Sequence, residues 1–124
     1  MASLNVRHVD EITLASFEDG RIIEDSSINS LGKELSGLLG NKANSRIILN
    51  FSNVMFMSSA MVGKLILFGK QCKAADVPLR MCNINDSVGE VFKLMQLGKI
   101  FKIDKDVATS KKKIMKKSWL QSLS

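Results

Sequence analysis

The chain has little of what metal centres, secreted scaffolds and histidine-based enzymes are built from. Its 124 residues include two cysteines, one histidine and one proline. Cys72 and Cys82 are too few for a disulfide framework and lack metal-ligand spacing. Both lie in apolar stretches, as reduced core thiols do. His8 sits in an alternating segment with no second ligand or nucleophile adjacent in sequence, so a catalytic role for it is not expected. No Gly-x-x-x-x-Gly-Lys-Ser/Thr occurs, since GNKANS and FGKQC both depart from it, and no Gly-x-Gly-x-x-Gly follows a strand. Ser58 and Ser59 lack the Gly-x-Ser-x-Gly of a nucleophile elbow. The longest apolar stretch, residues 61–68, is broken by Gly63 and Lys64 and is far too short to span a bilayer. Residues 1–10 show no basic start leading into an apolar run, so no signal peptide is expected. These absences argue against an enzyme, a cofactor, a metal site or a membrane span, and for a cytoplasmic protein.

What is present is an ordinary globular composition, 45% hydrophobic and 24% charged, long enough for one core. The net charge of +6 is unevenly placed. Residues 1–90 hold nine Lys/Arg and ten Asp/Glu, whereas residues 91–124 hold nine Lys and two Asp. The body is therefore nearly neutral and the excess lies at the C-terminal end.

Hydrophobic periodicity gives the element order. LNVRHV and ITLASF alternate with period two around a polar Asp-Glu break, which predicts a hairpin. A polar segment around Gly20 ends in Asp25-Ser26-Ser27. Ile28, Leu31, Leu35, Leu38 and Leu39 then fall at helical spacing, and Gly40 stops them. Residues 47–51 form a continuous apolar run, as in a strand covered on both faces. A second helix is expected over about residues 58–75. Pro78 opens the strand LRMCNI, where a missing N–H is tolerated. Asn85 or Asp86 caps a third helix, SVGEVFKLMQL, which Gly98 ends, and KIFKI is a short last strand. A final helix over about residues 106–122 carries Val107, Ile114, Met115, Trp119 and Leu120. Ile114, Met115 and Trp119 are expected on the body, with the lysines in water. The order ββαβαβαβα predicts one α/β domain over residues 1–124, with a mixed sheet of four or five strands and helices on its crossovers.

The stretch NVMFMSSAMVGKLILFGK puts two hydroxyls where a strand hands over to a helix. Ser58 serves as an N-cap, worth ~1 kcal/mol. Ser59 then falls in the first helical turn, at the positive end of the helix dipole and on the sheet edge where α/β folds bind partners. Phosphorylation there would add roughly −1.5 to −2 charges. Met55, Met57, Met61 and Val62 around the turn form either an adaptable apolar docking surface or ordinary core.

These residues resemble the signature of the STAS domain, and within it the bacterial anti-sigma-factor antagonists. The family has an apolar strand, then Phe-Met-Asp-Ser-Ser/Thr-Gly-Leu-Gly opening a helix. Here Phe56-Met57, Ser59 and Gly63 occupy the matching places, while Ser58, Ala60 and Met61 replace the acidic, hydroxyl and glycine positions. The resemblance covers about residues 4–104. It implies Ser59 as phosphate acceptor, with Ser58 as a competing one. It also implies a partner surface of Glu24, Asp25, Met57, Ser58, Ser59, Met61 and Val62. The implied partners are an anti-sigma factor that is itself an ATP-using serine kinase, and a phosphatase that reverses the modification; the ATP belongs to the partner. The alternative is a STAS adaptor in a stress-sensing or lipid-transport assembly, without phosphorylation. Nucleic-acid binding through SKKKIMKK is a third reading, disfavoured because only Trp119 could stack on a base.

Overall fold

The computed structural model describes the backbone of residues 3–123 and side-chain environments through Met115. Strands β1 (Leu4–Val9) and β2 (Ile12–Phe17) pair antiparallel with Val9 opposite Ile12. The connecting Asp10 and Glu11 have φ of 53° and 66°. Positive φ at both turn residues matches the twist of a two-residue hairpin, which usually recruits Asn-Gly for it. Here two residues with full side chains adopt it, so the turn is strained.

Strands β4 (Ile47–Asn50), β6 (Leu79–Cys82) and β7 (Lys102–Asp104) continue the sheet in parallel, in the order β1-β2-β4-β6-β7. The crossovers carry helices α1 (Asp25–Leu38), α2 (Ser59–Ala74) and α3 (Asp86–Leu94), and α4 (Val107–Leu123) closes the chain. This is the mixed five-stranded α/β sheet that the periodicity predicts. Alternation along each strand separates two cores. Ile47, Leu49 and Met81 pack with Leu31, Leu35, Leu65 and Phe68 of α1 and α2. Ile12, Ile48 and Cys82 face the other way, onto Ile114 of α4, with Val107 and Met115 partly buried beside them.

Helix α4 is docked by polar groups as well. Asp106 caps it, its Oδ1 accepting the Thr109 N–H at 2.8 Å. The fully buried carboxylate of Asp104 accepts Arg80 Nε at 2.6 Å, Arg80 Nη2 at 3.0 Å and the Ser110 hydroxyl at 2.6 Å. Lys113 Nζ lies 3.4 Å from the same carboxylate. These donors, Arg80 foremost, hold the Asp104 carboxyl down at about 2. Lys111 reaches Asp10 of the strained hairpin turn at 3.5 Å. Two lysines expected to face only water thus pair with the body. Ile114 and Met115 pack as expected, and the Trp119 side chain lies outside the described residues.

The structure corrects several boundaries. Two strands of two residues, β3 (Arg21–Ile22) and β5 (Phe56–Met57), form a separate parallel ribbon in segments expected to be irregular. Helix α1 begins at Asp25, in what reads as a polar connection, because its first three residues, Asp25-Ser26-Ser27, are polar and set no phase. Helix α3 stops at Leu94 and not at Gly98. Gln96 turns left-handed (φ 55°), and one 3-10 turn over Leu97–Lys99 follows. That reversal buries Leu97 and Phe101 while leaving Leu94 and Ile100 outside, and it delays the last strand to Lys102.

Candidate functional site

Three connections meet at the carboxyl ends of β4 and β6, the sheet edge where open α/β folds present their sites. The β4–β5 loop is tied to the ribbon by the Met55 and Phe56 N–H groups, which donate to the Gly20 carbonyl at 2.7 and 3.0 Å. The Ser58 N–H donates to the Ile22 carbonyl at 3.0 Å, which brings the start of α1 beside the start of α2. Asn85, the N-cap of α3, donates from Nδ2 to the Val54 carbonyl at 2.9 Å and completes the cluster.

The two serines have different surroundings. Ser58 has extended backbone (φ −78°, ψ 159°), and its hydroxyl accepts the Met61 N–H at 3.4 Å as the cap of α2. Its side chain is half-buried. Ser59 is the first helical residue, is exposed, and makes no side-chain hydrogen bond among the described residues. Among the described residues no base engages its hydroxyl, so it is open to an external reagent and is not poised for its own nucleophilic chemistry. One turn on, Gly63 is exposed, and a Cβ there would meet nothing within 4 Å. Bare backbone therefore borders the helical face below Ser59.

The apolar face at this turn differs from the expected set. Met57, Met61 and Val62 are buried in the main core and offer no surface as placed. Exposed instead are Met55 (64%), Phe56 (49%) and Ile23 (40%). The Arg21 guanidinium lies 5.5 Å from the Phe56 ring centroid, a cation–π contact across the β3–β5 ribbon. Glu24 and Asp25 are exposed at the start of α1, where Glu24 occupies the N-cap position without a side-chain cap bond. Arg21 and Ile23 were not singled out from sequence. The signal for them is the brief Arg-Ile-Ile after Gly20, too short to show a period.

Elsewhere, chemically capable side chains are committed to structure. Nε2 of His8 and the Thr13 hydroxyl both bond the Asn44 side-chain oxygen, at 2.8 and 2.6 Å, while Asn44 Nδ2 donates to the Leu38 carbonyl at 2.7 Å. Burial pushes the Cys72 thiol up to about 12 and the Cys82 thiol up to about 11, so neither forms a thiolate near neutral pH. Among the described residues no group of His, Cys, Asp or Glu is arranged to hold a metal ion, and no helix is long and apolar enough to cross a membrane.

Comparison with known proteins bears on this geometry. The family model of the STAS domain matches residues 5–110. An anti-sigma factor antagonist from Mycobacterium paratuberculosis superposes with a TM-score of 0.79 at 14% identity, covering 93% of this chain and 95% of that one. An anti-sigma-factor antagonist (STAS) domain protein from Planctomyces limnophilus gives 0.76 at 15% identity, covering 89% and 95%. The Bacillus cell fate determinant SpoIIAA, in its phosphorylated form, gives 0.67 at 18% identity, covering 89% and 98%. At these identities the structural likeness is one of fold.

Proposed function

On the premise that the chain belongs to the STAS domain family, we propose that it is an anti-sigma-factor antagonist. It binds an anti-sigma factor that is also a serine kinase, regulates transcription from the cytoplasm in that way, and is released when Ser59 is phosphorylated. A phosphatase restores binding. The observation that carries the acceptor assignment is the division of labour between the serines. The Ser58 hydroxyl is held by the cap of α2, whereas the Ser59 hydroxyl is exposed and unbonded. The contact face is Met55, Phe56 and Ile23, flanked by Arg21, Glu24 and Asp25. A phosphate on Ser59 is compatible with the fold, because it sits at the positive end of α2. It spoils the interface, because a charge of nearly two must be desolvated against apolar surface.

The test is capture of partners from the source cell by the full chain, with mass spectrometry of the captured proteins and of phosphate on Ser58 and Ser59. Ser59→Asp is expected to weaken binding by about a hundredfold, the equivalent of roughly 3 kcal/mol. Ser59→Ala should bind normally and resist release by kinase and ATP. Ser58→Ala should lose only the cap, about 1 kcal/mol of stability. Phosphate confined to Ser58 would move the acceptor. A partner that binds but never phosphorylates would favour the adaptor reading, which the absence of an acidic residue at position 58 supports.

A further inference from the structure

A second surface lies at the opposite edge of the sheet. Helix α3 starts at the Ser59 edge, where Asn85 touches Val54, and runs away from it, while β7 enters the sheet in parallel from the far side. Between them, Ile84, Phe92 and Ile103 line an apolar groove of about 510 Å³, rimmed by Lys93, Gln96 and Lys99. Leu94 is 84% exposed and Ile100 56% exposed on the same reversal, and among the described residues β7 is an edge strand with no neighbour beyond it. Isolated exposed apolar residues need no explanation, but a groove with an apolar floor and two such residues alongside does.

The charged residues that line the groove, Lys93 and Lys99, have one sign. Asp86 and Glu90 of α3 are exposed but do not line it. Unlike Lys111 and Lys113 of α4, Lys93, Lys99 and Lys102 enter no ion pair among the described residues. Among the described residues Lys99 meets only the neutral Gln96 oxygen, at 3.2 Å. Asp104 next door is consumed by Arg80, Ser110 and Lys113. A second copy of this chain would set these lysines against one another, which disfavours self-association. A lipid headgroup layer complements the charge but leaves the concave floor unfilled, and nucleic acid has no aliphatic side chain to put there.

We propose that this groove docks an acidic amphipathic segment of a protein partner, an apolar side chain entering between Phe92 and Ile103 and carboxylates meeting Lys93 and Lys99. This surface is separate from the Ser59 turn, and the proposal does not rest on the phosphorylation reading. It gives the domain a second docking face, apart from the Ser59 turn.

The full chain would be titrated with a fluorescein-labelled helical peptide carrying leucines on one face and glutamates on the other. Its lysine-for-glutamate counterpart and phosphatidylglycerol vesicles form the other arms. The glutamate peptide should bind and the lysine peptide should not. Lys93→Glu with Lys99→Glu should weaken binding by about tenfold or more, as should Ile103→Ser, with unchanged melting temperatures. Amide shifts in NMR spectra should be largest within residues 89–103 and leave the Ser59 turn unmoved. Absence of binding by the glutamate peptide, equal binding of both peptides, or shifts centred on Phe56 and Ser59 would overturn the proposal. So would vesicle binding that the lysine variants abolish, or a dimer in gel filtration that Ile103→Ser dissolves.

Discussion

Replacing Asp104 by asparagine removes one charge and almost no volume, at a site whose side chain has no solvent exposure. The wild-type carboxylate takes two bonds from Arg80 and one from Ser110, and Lys113 stands close by. Asparagine still accepts one bond but leaves the mostly buried Arg80 guanidinium uncompensated. Breaking a buried pair from one side costs about 3–5 kcal/mol, and partial exposure of Arg80 argues for the lower end. Against a total of roughly 5–15 kcal/mol for a domain, that is a large fraction. The proton linkage gives an independent reading. Folding holds the Asp104 carboxyl at about 2, below its ordinary 3.8, so the folded chain binds fewer protons in this range. The stabilisation is therefore full above the ordinary value and disappears as pH falls through the folded one. It amounts to about 2 kcal/mol. Urea unfolding followed by far-ultraviolet circular dichroism, at pH 7 and in steps down to pH 2, measures both. The Asp104→Asn variant should be about 3 kcal/mol less stable at pH 7, and its deficit should shrink by about 2 kcal/mol toward pH 2. A loss below 1 kcal/mol at pH 7, or a deficit independent of pH, would refute the view that this carboxylate clamps α4 to the sheet.

Other expectations follow from the packing. Ile114→Ala removes the α4 residue at the centre of the second core and should cost about 2–4 kcal/mol in urea unfolding. Asp10→Asn with Glu11→Gly gives the hairpin residues suited to its positive φ; a gain of about 1 kcal/mol is expected, since the two ion pairs it removes, Asp10–Lys111 and Glu11–Arg46, have exposed carboxylates and contribute little. Cys72 and Cys82 should resist alkylation by iodoacetamide at pH 8 in the native state and react fully in urea, because both thiols are held far above that pH.

Much of this architecture can be read from hydrophobic period alone, because its main elements are long enough to show one. The Ile28, Leu31, Leu35 and Leu38 stripe spans three helical intervals, and LNVRHV and ITLASF carry a recognisable strand pattern on either side of a polar break. The β3–β5 ribbon has two residues per strand and so no period at all, and its partners lie 35 positions apart, Arg21 opposite Phe56. The reversal after α3 escapes because the sequence places a glycine at 98, whereas the left-handed residue is Gln96. At the candidate site the pattern locates the turn and its two hydroxyls. It does not say which of Met55, Phe56, Met57 and Met61 faces inward, since an apolar run has no marked side. The ribbon decides that by turning Phe56 outward and Met57 inward. The Arg80–Asp104–Ser110 cluster is likewise invisible from sequence, because charges distant along the chain carry no sign of meeting.

The β3–β5 ribbon has a consequence for what a partner recognises. Ser58 is held by the Ile22 carbonyl, Met55 and Phe56 by the Gly20 carbonyl, and the Phe56 ring by Arg21. None of these contacts exists until the segments around residues 20 and 56 have been brought together by the intervening helix and strand. The surface around Ser59 is thus assembled from distant segments and is not a linear one. A free peptide copying residues 53–70 carries every letter of the motif and none of its presentation, and it should compete poorly for anything that binds the whole domain. Unfolded copies, for the same reason, do not present this surface.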